Sequence, residues 1–159
     1  MVQQSRINWK TLLLILAVTF GLPFLLSLPG MGGMHDYAQL QKPPLSPPGW
    51  LFGVVWTILY LLMGIAAYLV WQTGDEDRTK ALKTYYLQLA VNAIWTPIYF
   101  WLQLRLLAFI WLLLLIALVV LTLVRFYPIS KTAAFLLLPY LAWLAFAAYL
   151  NFGTWLLNG

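Results

Sequence analysis

The chain has 159 residues, of which 64% are hydrophobic and only 8% charged; a soluble domain carries about 25% charged residues, so this surface cannot be covered for water. A mean hydropathy of +0.86 points to an integral membrane protein of one compact domain, and the net charge of +5, scattered over loop ends, fits anchoring in a bilayer rather than nucleic acid. There is no cysteine, and His35 with the acids Asp36, Asp75, Glu76 and Asp77 leaves too little for a metal cage or a catalytic carboxylate pair, so no metal site and no required cofactor are expected.

About 20 apolar residues cross about 30 Å of hydrocarbon. On that measure the first helix runs over about 8–28, behind Arg6 and Lys10. A secretory signal begins in the same way, but no small-residue cleavage site follows, so the segment reads as a retained span. Residues 29–46 form the longest and oddest loop. It holds Pro29-Gly30-Met31-Gly32-Gly33 and then Lys42-Pro43-Pro44-Leu45-Ser46-Pro47-Pro48, with four prolines between 43 and 48. Proline fixes φ and holds the chain extended, which suits either a stiff connector or a structured lid over a cavity. Ser46 is a candidate N-cap for the next helix, where Pro47 and Pro48 are tolerated because early N–H groups have no partner anyway.

The second helix is expected over about 47–72, ending at the water-exposed run Asp75-Glu76-Asp77-Arg78. From Ala81 to Tyr127 the only charges are Lys83, Arg105 and Arg125, and that stretch is about twice a bilayer thickness. It must fold back, with Arg105 marking the turn. This gives helices over about 80–103 and 106–127, with Pro97 as a kink that widens the space beside Trp95. The last helix covers about 131–157. The expected fold is therefore all-α, a bundle of five transmembrane helices with a structured loop between the first two. Seven basic residues lie with the amino terminus, the 72–83 loop and the 127–131 loop, against Lys42 and Arg105 on the other side, which places the amino terminus in the cytoplasm.

Nine tryptophans stand out. Trp9, Trp50, Trp71, Trp101 and Trp155 lie near span ends, where an indole keeps its ring buried and its N–H wet. Trp111 sits among aliphatic residues and reads as packing or lipid-facing. Trp56, Trp95 and Trp143 are left, well inside their spans. Gln88, Asn92, Trp95 and Tyr99 share one helix face, Trp56 and Tyr60 another, and Tyr140, Trp143, Ala147 and Asn151 a third. Amides in hydrocarbon are costly unless they face protein or a cavity. Ordinary packing with amide hydrogen bonds explains any one stripe; three together point to a pocket for a flat, apolar ligand with a few amides setting its orientation.

Tyr37-Ala38-Gln39-Leu40-Gln41-Lys42-Pro43 followed by Pro47-Pro48-Gly49-Trp50 resembles the first-loop signature of the TspO/MBR family, the tryptophan-rich sensory and translocator proteins (peripheral benzodiazepine receptors). Trp56-Thr57-Ile58-Leu59-Tyr60, Gln88 through Pro97, Pro139-Tyr140-Leu141-Ala142-Trp143 and Tyr149-Leu150-Asn151 are similar to its helix motifs, in the right order over nearly the whole chain. The resemblance implies a five-helix bundle, usually a homodimer among membrane lipids, that binds tetrapyrroles such as protoporphyrin IX and other apolar ligands. It carries pocket roles over to Tyr37, Trp56, Tyr60, Asn92, Trp95, Thr96, Trp143 and Ala147. Gln88, Tyr99 and Tyr140 join the candidate ligand-binding set from the stripes.

A membrane receptor or sensor for tetrapyrroles is the leading reading. The resemblance also implies an alternative, a light-dependent porphyrin-degrading enzyme with Trp56 and Trp143 as the reactive pair. A transporter of porphyrins or lipids is a third, though no inverted repeat supports it. Two departures from simple family behaviour stand in the sequence. The final helix lacks the basic residue of the animal sterol-recognition pattern, a weak motif even when complete, and a lone loop histidine such as His35 is more often solvated than a ligand. Lys42 is placed to offset a ligand carboxylate at the pocket mouth, or to anchor at the interface.

Overall fold

The computed structural model describes residues 6–159. Among the described residues the regular elements are all helices, with no strand: α1 (Trp9–Ser27), α2 (Gly33–Gln39), α3 (Gly49–Gln72), α4 (Arg78–Thr96), α5 (Arg105–Phe126), α6 (Lys131–Leu136) and α7 (Leu138–Asn158). Where no water reaches the backbone, only helices satisfy every N–H and C=O locally, and this composition leaves no other solution. Four stretches, not five, are long and apolar enough to cross a bilayer: Trp9–Gly30, Gly49–Gln72, Arg105–Phe126 and Lys131–Asn158. The helix expected over 80–103 is not among them. Its first turns carry Arg78, Lys80 and Lys83, its buried face carries Thr84, Gln88 and Asn92, and its regular part stops at Thr96.

That stop has a simple cause. Pro97 has no N–H to donate to the preceding turn, so the chain widens into a π-helical turn over Pro97–Trp101, closed by Leu102 N–H donating to Pro97 O at 2.9 Å. The expected kink is thus a change of helix type. The reversal then falls on 102–104, with Gln103 at a φ of 55°, and Arg105 opens α5 instead of sitting in the turn. The last expected helix is interrupted in the same way. Pro139 cannot donate to Phe135, so α6 ends at Leu136 and α7 restarts at Leu138. Ser130 caps α6, its Oγ accepting from Ala133 N–H at 3.2 Å.

The loop after α1 is also more structured than its composition suggests. A 3₁₀ turn, Leu28–Gly30, leads into α2. Gly33 lies so close to the Phe100 carbonyl that a Cβ would sit 2.1 Å from its oxygen, so only glycine lets this segment rest on the π-helical turn. Ser46 does not cap α3. Its hydroxyl closes a local turn by donating to Pro43 O at 2.7 Å, Pro48 stays extended at ψ 148°, and the helix begins at Gly49. On its far side the proline segment meets α7. Gly153 lets Pro43 pack against it, with a built Cβ only 2.7 Å away. Asn158 Nδ2 donates to Gln41 O at 2.8 Å, and its Oδ1 accepts from Gln41 N–H at 3.0 Å.

In the bundle, α4 packs against α1, α3 and α5, while α5 also packs against α7 and α3 against α6. Buried polar bridges tie the helices together. Thr19 on α1 and Tyr85 on α4 share a hydrogen bond of 2.7 Å, and Tyr68 OH on α3 accepts from Asn8 N–H at 2.8 Å. Gly64 lets α3 approach α1 at Leu16. Small residues and interhelical hydrogen bonds do this work because lipid is as apolar as leucine and supplies no hydrophobic drive between helices.

Candidate functional site

Three helices bring their aromatic stripes together beneath α2. The space between them is a cavity of about 340 Å³ lined by Ser27, Met34, Tyr37, Phe52, Gly53, Trp56, Trp95, Thr96, Tyr99, Phe100, Trp143, Ala147, Leu150 and Asn151. A second space of about 350 Å³ adjoins it, sharing Ser27, Gly53, Trp56, Trp95 and Thr96, and extends between α1 and α3 past Phe20, Phe24, Thr57 and Tyr60 to Asn92. Both volumes lie within the range of small-molecule sites, about 300–1,000 Å³.

The walls are mostly rings. Trp56 stacks on Tyr60 with centroids 5.2 Å apart, and Trp95 stacks on Tyr99 at 5.1 Å. Phe52 meets Trp143 edge-on at 5.8 Å. From above, Tyr37 makes edge contacts with Phe52, Tyr99 and Phe100 at 6.5, 6.1 and 5.8 Å, so α2 closes the cavity with an aromatic residue. Burial pushes the Tyr37 hydroxyl above the ordinary tyrosine range, because an ionised phenol loses its hydration there. The ring stays neutral at physiological pH.

The expected site residues divide by depth. Tyr37, Trp56, Trp95, Thr96, Tyr99, Trp143 and Ala147 all line the main cavity. Tyr60 and Asn92 reach only the adjoining space. Gln88 and Tyr140 line neither; they lie fully buried behind it. There they anchor a chain of hydrogen bonds. Tyr60 OH donates to Asn92 Oδ1 at 3.0 Å, Asn92 Nδ2 donates to Tyr140 OH at 2.6 Å, and Tyr140 OH donates to Gln88 Oε1 at 2.9 Å. These two residues stand behind the wall and line neither space.

The polar atoms facing the cavity are few. Trp95 Nε1 donates to Asn151 Oδ1 at 3.2 Å, and Asn151 Nδ2 donates to Arg105 O at 2.8 Å. Trp143 Nε1 is buried and has no partner among the described residues. Lys42 Nζ donates to Ala38 O at 3.3 Å and lies 5.0 Å from the centre of the Tyr37 ring. His35 is exposed and bonds to Gln39 on the outer side of α2. Trp111, outside the cavity, donates to Val91 O at 2.8 Å and fills the packing between α5 and α4. Among the described residues no cluster of His, Cys, Asp or Glu has the makings of a metal site.

Sequence reasoning missed Phe52, Gly53, Phe100, Met34, Ser27 and Leu150 as lining residues. Phe52 and Gly53 lie three or four residues before Trp56 on the same face of α3, so helical spacing could have found them. Phe100 and Met34 depend on the π-helical turn and on α2, which no periodicity announces.

The composition, the order of the motifs and this cavity agree with what comparison with known proteins finds. Residues 11–156 match the model of the TspO/MBR family. The chain belongs to that family. It is 43% identical over 122 residues to a tryptophan-rich protein TspO of Archaeoglobus fulgidus, covering 77% of this chain and 79% of that one. It is 44% identical over 126 residues to the human translocator protein, covering 77% and 75% respectively. The protein CrtK of Rhodobacter capsulatus is 38% identical over 124 residues, covering 77% and 78%.

Proposed function

We propose that this TspO/MBR member is a membrane receptor that takes a tetrapyrrole such as protoporphyrin IX into the cavity beneath α2. The observation that carries this reading is the wall itself. A space of about 340 Å³ is bounded by the rings of Tyr37, Phe52, Trp56, Trp95, Tyr99, Phe100 and Trp143 and by almost no charge. Flat aromatic faces at stacking distance hold a flat conjugated macrocycle by area and by quadrupole complementarity. In this reading α2 is a lid, tied down by Gly33 on one side and by Gln41 on the other.

A second reading rests on one further fact: Trp56 and Trp143 line the same cavity. An excited porphyrin beside two indoles can draw an electron from one of them, leaving an indole radical cation and a porphyrin radical anion that dissolved oxygen re-oxidises, itself becoming superoxide; light- and oxygen-dependent degradation by that route would belong to the same site.

The reading also assigns α4 as a fifth span. Its flanks are covered by α1, α3 and α5; Asn92 and the Gln88 carbonyl bond to Tyr140 on α7 and Thr84 bonds back to Lys80 O, while Gln88 Nε2 is buried with no partner among the described residues. A helix too polar for lipid crosses the membrane when protein surrounds it. With the basic ends of the bundle facing the cytoplasm, the loop after α3 faces the same way.

Three outcomes are expected. Gly53 lines both spaces, and a Cβ built on it has no atom within 4 Å, so Gly53→Leu fills the cavity without disturbing the fold. Titration of protoporphyrin IX into the purified variant, followed by Soret absorbance, is expected to show affinity lower by about tenfold or more at unchanged melting temperature. Unchanged affinity would rule the cavity out. Under visible light the unaltered protein is expected to bleach bound pigment faster than detergent does, and Trp56→Phe with Trp143→Phe to remove the excess; no excess to begin with leaves only the receptor. Because the chain has no cysteine, Glu76→Cys in sealed right-side-out vesicles should resist an impermeant maleimide until the vesicles are opened. Labelling of intact vesicles would reverse the topology.

A further inference from the structure

The other end of α4 carries a feature that the tryptophan cavity leaves unused. A cleft of about 210 Å³ lies between the first turn of α4 and the last turn of α5, lined by Asp77, Lys80, Ala81, Val124, Arg125 and Pro128. Its chemistry is the reverse of the main cavity: two cations and a carboxylate beside a few apolar atoms. Arg125 is only partly exposed and donates one guanidinium nitrogen to Thr84 Oγ1. Thr84 in turn donates to Lys80 O at 3.1 Å, so the guanidinium is braced against α4 and not free to swing into water. Neighbouring cations are occupied elsewhere. Arg78 donates to Trp71 O at 2.8 Å and lies against that ring, while Lys131 sits 5.6 Å from the centre of the Tyr127 ring.

We propose that this cleft binds the phosphodiester headgroup of a phospholipid. Charge is the first argument. Lys80 and Arg125 supply two positive charges and Asp77 one negative, so the cleft carries a net +1, which a phosphodiester monoanion neutralises. A free phosphate is a near-even mixture of monoanion and dianion at neutral pH; its dianion overshoots that balance, and neither form brings an acyl chain for the apolar surface below. A headgroup bearing a hydroxyl or an ammonium gives Asp77 a donor.

The second argument is what lies below the cleft. Val124, Leu121, Ala117 and Leu114 follow one another at three- and four-residue steps along α5, all exposed, and form a single aliphatic stripe. From Val124 to Leu114 the stripe runs about 15 Å, close to half the hydrocarbon thickness of a bilayer. One leaflet's acyl chains thus have an apolar track leading away from a headgroup held between Lys80 and Arg125. Basic pockets between spanning helices are a recurrent solution for lipid headgroups.

The test is native mass spectrometry of the full chain released from detergent, with dioleoylphosphatidylglycerol titrated in and the first dissociation constant read out. Inorganic phosphate and dioleoylglycerol form parallel arms, the first scored by thermal stabilisation. A saturable first phospholipid adduct is expected, with neither parallel arm matching it. Each nearby basic residue contributes about fivefold at a membrane surface. Lys80→Gln and Arg125→Gln are therefore expected to weaken the first adduct about fivefold each and about thirtyfold together, and Lys131→Gln to leave it unchanged. Lys80 is exposed and makes no side-chain bond that the fold needs, so its variant decides the matter if Arg125→Gln fails to fold. Equal affinity in Lys80→Gln, or equal binding of dioleoylglycerol, overturns the proposal. Stabilisation by inorganic phosphate as strong as by the phospholipid reassigns the cleft to free phosphate and overturns the lipid.

Discussion

Polar groups buried among apolar helices must find their partners within the protein, and in this chain that constraint falls most heavily on α4. Its buried face carries Thr84, Gln88 and Asn92. Asn92 stands at the centre, accepting from Tyr60 on α3 and donating to Tyr140 on α7, which donates onward to Gln88. These bonds fix the rotation of three helices about their own axes. Once Gln88 and Asn92 turn inward, the next residues on the same face, Trp95 and Tyr99, must line the space above them. Each interhelical bond is worth about 1 kcal/mol or less in a bilayer. Their value lies in excluding other rotations, which an aliphatic helix surface tolerates.

Two layers follow from that arrangement. Below, Tyr60, Asn92, Tyr140 and the Gln88 carbonyl bond to one another, while the Gln88 amide nitrogen is buried with no partner among the described residues. Above, rings face each other across open volume because nothing small enough to fill it is attached to the chain: Gly53 and Ala147 stand where larger side chains would close the gap. The π-helical turn at Pro97–Trp101 helps by carrying Tyr99 and Phe100 toward the cavity, and α2 sets Tyr37 across the top. Gly33 and Gly153 are the two places where a side chain would push this cover away.

Much of this was legible in the sequence, for reasons that can be named. Apolar runs mark the spans, and the shared helical face of Gln88, Asn92, Trp95 and Tyr99 is enough by itself to bring α4 to the pocket. What spacing could not separate was depth. Gln88 and Tyr140 belong to the same stripes as Trp95 and Trp143, yet they sit behind the wall, because a stripe gives direction around the helix and not which helix stands opposite. Partners distant in sequence were equally hidden: Trp95 with Asn151, Gln41 with Asn158 and Gly33 with Phe100 depend on how the helices meet. Pro97 signals its interruption in the sequence, but Pro139 breaks a helix expected to run on over 131–157 and Pro23 lies inside α1 without breaking it; whether the chain kinks, widens into a π turn or restarts depends on which carbonyl lies in reach. By length and apolar character four stretches stand where the sequence suggests five, because the segment from Ala81 to Trp101 carries Lys83, Thr84, Gln88 and Asn92 among its apolar residues.

The central claim is that three of the nine tryptophans surround a bound macrocycle while the others serve packing and the bilayer edge. Porphyrin ring currents make this directly measurable. Indole N–H resonances of the uniformly ¹⁵N-labelled protein, assigned by single Trp→Phe variants, are followed while protoporphyrin IX is added. The expected result is large shifts for Trp56, Trp95 and Trp143, with Trp9, Trp50, Trp71, Trp101, Trp111 and Trp155 nearly still. Shifts concentrated on the exposed Trp9, Trp50 and Trp101, with the three inner indoles unmoved, would place the ligand on the lipid-facing surface and contradict the cavity.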